Sequence, residues 1–205
     1  MPLGYHVVIF EQLDKPGGLM RTNIPAFRLP HAVLDEEIDV ILNMGVDIRY
    51  SSPIGSMKKL LQDGFDAIFV GSGAPRGKNL DIPGRYETDR IHIGIDWLES
   101  VAFGHVDSIG ERVLIIGVGN TAMDCCRSSR RMGGKDIKVM ARRPRGFFKA
   151  SPWELEDAEE EGVEILINYA PLRFVVEKGV LKGMEFERLE WDEGAKRSKT
   201  IDTVF

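Results

Sequence analysis

Cysteine is nearly absent from this 205-residue sequence; the two present, Cys125 and Cys126, are adjacent. Neighbouring residues on a helix point about 100° apart, so the pair is not a C-x-x-C redox motif and reads as two small residues packing near a sheet. Histidine is scarce as well. His6, His31, His92 and His105 are scattered with no metal-ligand spacing, so no metal site is expected. There is no long basic run and the net charge is −5, which argues against a nucleic-acid partner, because phosphate binding needs a positive field. Apolar runs are strand-sized and fall far short of the ~20 residues of a membrane span. The first residues lack a charged segment followed by an apolar one, so no secretory signal is read and a cytoplasmic location is expected. Internal repeats and low-complexity stretches are also missing.

What is present suits a packed protein. Hydrophobic residues make up 43% of the chain, enough for a sizeable core, and the length fits one large domain or two small ones. The most informative stretch is Val113-Leu-Ile-Ile-Gly117-Val-Gly119-Asn-Thr-Ala122-Met-Asp124. An apolar run feeds a glycine turn that opens a helix, which is the context a G-x-G-x-x-A dinucleotide motif requires. Gly117 would allow the tight turn. Gly119 would let a pyrophosphate approach the backbone, and Ala122 would let the helix lie close to the strand. Gly117, Gly119, Asn120, Thr121 and Ala122 are therefore candidate binding residues, with the pyrophosphate at the helix N-terminus.

The next strand, Ile137-Lys-Val-Met-Ala141, ends about twenty residues further on, where an NAD site would carry an acid on the ribose hydroxyls. Arg142 and Arg143 stand there instead. A carboxylate would repel a 2′-phosphate, whereas guanidinium groups bind one through paired hydrogen bonds, so the site reads as NADP(H)-selective.

The first half reads as a second, incomplete unit. Tyr5 to Glu11 is a strand ending in an acid. A turn at Asp14 to Gly18, an irregular stretch from Leu19 to Leu29, a helix from Pro30 to Gly45 and a strand from Val46 to Tyr50 follow. A short helix near Ser56 to Gln62 and a strand from Asp66 to Val70 lead into Gly71-Ser-Gly-Ala74. A helix is expected over His92 to Phe103. Beyond Arg143, Ser151-Pro152 starts a helix whose acidic run, Glu154 to Glu161, reads as a solvated face. Val163 to Ile167 is a strand, and alternation after Phe174 predicts an antiparallel hairpin or meander. The fold class is α/β: two Rossmann-like domains, the first incomplete (FAD-type by the resemblance given next), the second NAD(P)-type with a meander, with parallel sheets flanked by helices. The expected division is a partial dinucleotide-binding domain with a connecting helix at 1–108, which the resemblance makes FAD-binding, and an NADPH-binding domain at 109–205.

These motifs, in this order, resemble the small (beta) subunit of NADPH-dependent glutamate synthase within the wider FAD/NAD(P)-dependent pyridine nucleotide-disulfide oxidoreductase superfamily. The resembling segments are Val8-Ile-Phe-Glu11, Pro16-Gly-Gly-Leu19, Ile24 to Pro30, Asp66 to Ala74, Leu80-Asp-Ile-Pro-Gly84, Gly117 to Asp124 and Ala141-Arg-Arg143. The resemblance implies that Glu11 holds the FAD adenosine ribose and that Gly17, Gly18 and Leu19 lie along the flavin side. It implies that Gly71, Ser72, Gly73 and Ala74 let the chain pass close to FAD. It further implies hydride transfer from NADPH to FAD, with electrons passing on to a large catalytic subunit or another iron–sulfur partner.

Several family features are missing: the FAD glycine loop, the upstream cysteine-rich region and the strand that closes the flavin site. Lys149-Ala-Ser-Pro152 replaces the family's frequent Met-Pro-Ala. The sequence is therefore expected to be an interior piece. Taken alone, it is expected to bind FAD poorly, to show no hydride transfer and to self-associate or need a covering partner. A non-catalytic NADP-binding or interaction module is the alternative. No catalytic residue is assigned.

Overall fold

The computed structural model describes residues 3–192 and the backbone of 197–204. The chain divides into two compact units, residues 1–75 and 76–205.

In the first unit, β1 (Val8–Phe10) pairs in parallel with β2 (Asp47–Arg49), Ile9 opposite Ile48. Between them lie α1 (Leu19–Thr22) and α2 (His31–Leu42). Pro30 precedes α2 at φ −56, a value its ring presets for helix entry, and Gly45 at φ +90 takes the chain out of the helix. Leu34 is the buried residue of α2. The helix α3 (Met57–Gln62) starts at Ser56, whose hydroxyl accepts the Lys59 N–H at 3.3 Å. Phe10 meets Phe65 edge to face at 5.7 Å between ring centroids.

The expected strand from Asp66 to Val70 does not form, and Phe69 is 94% exposed. A strand exists only when a neighbour completes its hydrogen-bond ladder. Among the described residues the sheet of this unit holds β1 and β2 alone.

The second unit is built on a parallel sheet in the order β3 (Arg112–Ile116), β4 (Asp136–Ala141), β5 (Glu164–Ile167). Ile115 stands opposite Val139, and Val139 opposite Ile165. The crossovers are α5 (Asn120–Arg131) and α6 (Pro152–Glu160). Side chains alternate along β4, so its two faces join different cores. Ile137 and Val139 pack with Met123 and Cys126 of α5 and Ala158 of α6. Met140 points the other way, onto Met184 and Phe186. Those two belong to an antiparallel meander of β6 (Tyr169–Glu177), β7 (Val180–Asp192) and β8 (Arg197–Val204). Lys178 at φ +51 and Gly179 at φ +78 make the tight turn between β6 and β7, both in the left-handed region such a hairpin requires.

Two segments that precede β3 also pack into this unit. In α4 (Gly94–Ala102), Trp97 and Leu98 bury against Cys125. Leu80 and Ile82 lie on the Met184–Phe186 core, and the Phe174 N–H donates to Pro83 O at 2.9 Å. A Cβ on Gly84 would come within 2.5 Å of Phe174 O, and its φ is +84, so glycine is required there. These contacts put the division between compact units at residue 75, whereas the sequence reading draws its domain line at 108, just before the glycine motif.

Candidate functional site

The glycine turn leaves β3 and opens α5. Gly117 has φ +116, a conformation that excludes an L side chain at low cost, and its N–H donates to Met140 O at 3.0 Å. Gly119 is extended, with φ −106 and ψ 173, and a Cβ built on it would meet nothing within 4 Å. Protein packing therefore does not account for glycine at 119, and the space outside it is open. The first hydrogen bonds of the helix run from the Ala122 and Met123 N–H groups to Gly119 O at 2.9 and 3.2 Å. The N–H groups of Asn120 and Thr121 precede these and have no acceptor within the helix. Ala122 packs against the Met123–Val139 core, and a larger side chain there would push α5 off the sheet.

Arg142 and Arg143 follow β4, the neighbouring strand, and both are exposed. Neither guanidinium has an acidic partner among the described residues, unlike Arg127, Arg131, Arg145 and Arg173, which all do. Arg143 lies 6.0 Å from the ring centroids of both Phe147 and Trp191, and those two rings are 4.6 Å apart. The chain beyond the arginines folds back onto the glycine turn. The N–H groups of Lys149 and Ala150 donate to Val118 O at 3.0 and 3.1 Å, and the Ser151 N–H donates to Asn120 Oδ1 at 2.8 Å. Turn and arginines thus form one body, with exposed donors and two uncompensated positive charges on the same edge of the sheet. Such a surface suits a phosphorylated ligand.

In the first unit, Glu11 ends β1, and its Oε1 accepts the Leu13 N–H at 2.9 Å. Its backbone is held on both sides, by Arg49 O at 2.9 Å and the Ser52 N–H at 2.8 Å. Gly17, at φ +119, leaves only 3.0 Å between an added Cβ and Leu34 Cδ2, so both conformation and packing select glycine. Gly18 has φ +48 and precedes α1, whose first residue is Leu19. Gly71, Ser72, Gly73 and Ala74 form an exposed stretch in which Gly73 has φ +68 and approaches Leu19. The structure therefore brings the Gly17–Leu19 turn and Gly73 together.

The acidic face of α6, expected to be solvated, is instead the main ion-pair site. Arg127 on α5 pairs with Glu154 at 3.1 Å, Asp157 at 2.9 Å and Glu161 at 2.9 Å. The side chains of Arg127 and Glu154 are only 9% and 5% exposed. Charge patterning along one helix does not reveal a partner on another helix 27 residues away. The Arg131 hydrogen bond, reinforced by Arg127, holds the Glu161 carboxyl below the usual carboxylate range, and Arg145 does the same for Glu159. Burial pushes both cysteine thiols up to about 12. Among the described residues no group of three or more His, Cys, Asp or Glu side chains could hold a metal ion, and no helix is long and apolar enough to cross a membrane.

A family model described as pyridine nucleotide-disulphide oxidoreductase matches residues 3–201. The chain belongs to this family. Among members of this oxidoreductase family, the beta subunit of an NADPH-Fe(3+) oxidoreductase from Geobacter sulfurreducens is 35% identical over 198 residues, 93% of this chain and 29% of the relative. The small chain of glutamate synthase [NADPH] from Escherichia coli is 30% identical over 217 residues, 97% of this chain and 46% of the relative. The chain thus spans under a third to about half of the length of these relatives. In fold it is similar to Mycobacterium tuberculosis FprA, solved in complex with NADPH. The TM-score is 0.78 at 16% identity, covering 96% of this chain and 60% of FprA. The glutamate synthase small chain is one of several relatives, beside oxidoreductase and dehydrogenase subunits.

Proposed function

We propose that this chain carries the nucleotide-handling part of an NADPH-dependent flavoprotein subunit that passes hydride from NADPH to FAD and electrons on to a partner. The observation that carries this reading is the open space at Gly119 beside Arg142 and Arg143, which follow the adjacent strand and have no acidic partner among the described residues. NADPH supplies the hydride and FAD accepts it; the protein orients both and tunes their surroundings.

In this reading the N–H groups at Gly119, Asn120 and Thr121 bind the pyrophosphate, and Gly117 and Ala122 keep turn and helix close to the sheet. Arg142 and Arg143 hold the 2′-phosphate, so the cofactor is NADP(H) rather than NAD(H). Glu11 accepts the hydroxyls of the FAD ribose, while Gly17, Gly18, Leu19 and residues 71–74 provide side-chain-free backbone along the flavin. Residues 1–108 then serve the flavin side and 109–205 the NADPH side. The relatives named for NADPH-Fe(3+) oxidoreductase and glutamate synthase are both subunits or chains of larger enzymes, which favours an electron-accepting partner chain here.

Anaerobic mixing of NADPH with the full-length protein tests this. Bleaching of the flavin absorbance by NADPH, and its loss in Gly119→Val, are expected. Bleaching that survives Gly119→Val unchanged contradicts the assignment.

A further inference from the structure

Arg143 is exposed, yet its guanidinium does not stand alone: it lies 6.0 Å from the ring centroids of both Phe147 and Trp191. The two rings are 4.6 Å apart and tilted by 55°, so they present one angled aromatic surface to the arginine. They come from separate elements. Phe147 ends the short 3-10 turn Arg145–Phe147, in the segment whose Lys149 and Ala150 N–H groups donate to Val118 O at the glycine turn. Trp191 comes from β7, where the buried positions are Met184 and Phe186 and then Leu189 instead of Arg188. The change coincides with a shift of register against β8 between Arg188 and Leu189, the kind of irregularity that re-aims side chains. The Leu189 N–H is held at 2.8 Å by the carbonyl of Asn168, whose backbone is left-handed at φ +67. By the two-residue repeat of a strand Trp191 follows Leu189, and Asn168, Leu189 and Trp191 line one cavity at the end of β5. The Trp191 Nε1 is buried and makes no hydrogen bond among the described residues, so ring surface is what this residue offers Arg143.

We propose that Phe147 and Trp191 are positioning residues that set the NADPH-over-NADH preference by holding the Arg143 guanidinium in place without neutralising it. The inference rests on the reading of Arg142 and Arg143 as the 2′-phosphate site. An arginine can be oriented by a carboxylate or by aromatic faces, and the consequences differ. A carboxylate cancels the positive charge and competes with an incoming phosphate for the same N–H groups. A ring attracts the cation through its quadrupole, shields one side of it and leaves its donors and its charge for a ligand. Arg127, Arg131, Arg145 and Arg173 of this chain are held in the first way, each by a glutamate. Arg143 is held in the second. The two rings do not touch the ligand in this account. They lower the number of orientations Arg143 must give up when a phosphate arrives, so their contribution appears only with a nucleotide that carries a 2′-phosphate.

The test is calorimetric titration of the full chain with NADPH and with NADH. Trp191→Leu and Phe147→Leu, which remove a ring and keep apolar bulk, should each weaken NADPH binding by about two- to fivefold, the worth of a cation–π contact at an exposed site. NADH binding should not change. Trp191→Phe, which keeps a ring face, should retain most of the NADPH preference. With Arg143→Ala already in place, Trp191→Leu should have no further effect on NADPH, because the tryptophan acts through the arginine. Equal losses for NADPH and NADH in the leucine variants, or an undiminished loss in the Arg143→Ala background, overturn the proposal. So does an unchanged NADPH preference in both leucine variants, which leaves the 2′-phosphate reading standing. Should Trp191→Leu not fold, Phe147→Leu decides alone, since Phe147 is 40% exposed and its loss opens no core. An unmodified chain that binds NADPH and NADH equally overturns the 2′-phosphate reading and this proposal together.

Discussion

The side-chain carbonyl of Asn120, the first residue of α5, accepts the backbone N–H of Ser151 at 2.8 Å, across 31 residues of chain. This bond joins the helix that opens the glycine turn to the segment that follows the arginines. Asn120→Ala should therefore loosen the arginines relative to the turn. The expected loss is about 0.5–1.5 kcal/mol of NADPH binding, the usual net worth of one such bond. Calorimetry on the variant checks this, with a thermal melt to show that the fold is retained.

Gly117 and Gly119 differ in why they are glycine, and the difference is measurable. Gly119→Val meets no protein atom within 4 Å of its Cβ and keeps an ordinary φ, so folding stability should hold while dinucleotide binding disappears. Gly117→Ala faces φ +116 and should lose about 1–3 kcal/mol of stability whether or not nucleotide is present. Urea unfolding of both variants separates the two effects.

The buried pair of Arg127 and Glu154 predicts a stability effect with no binding component. Arg127→Met removes the guanidinium from the nearly buried Glu154 carboxylate and should cost about 3–5 kcal/mol. The same cluster gives a pH dependence. Glu161 and Glu159 both have folded-state values depressed by arginine hydrogen bonds. Their contribution is present above the unfolded carboxylate value of about 4.3 and is lost as pH falls through the lower folded values. Stability followed by urea titration should decline on acidification below that range, and less so in Glu161→Gln.

Cys125 and Cys126, with thiols pushed up to about 12 by burial, should not react with a thiol reagent at neutral pH in the folded chain. Unfolding should expose both. A fast-reacting thiol in the native protein would contradict the packing of Cys125 against Trp97.

Much of this was legible in sequence because it is local. The apolar run Val113 to Ile116, the glycines at 117 and 119 and the stretch at 137–141 define strand, turn and strand without reference to anything distant. Pro30 and Gly45 likewise bracket α2, and the alternation after Phe174 gives the meander. What was hidden depends on pairing across the chain. The segment 66–70 has strand composition and lacks a neighbour to make it one. Glu154 reads as a surface acid until Arg127 is brought over it. Asn168 and Trp191 belong to no motif; only the meander folding beside the end of β5 brings both residues to one cavity.

The central claim is that Arg142 and Arg143 make this an NADP(H) site. Calorimetric titration of the chain with NADPH and NADH in parallel tests it most directly. NADPH should bind more tightly, and Arg142→Ala with Arg143→Ala together should remove roughly 2–4 kcal/mol from NADPH binding, as for loss of charge-assisted hydrogen bonds, while leaving NADH nearly unchanged. Equal affinity of the unmodified chain for the two nucleotides would contradict the account.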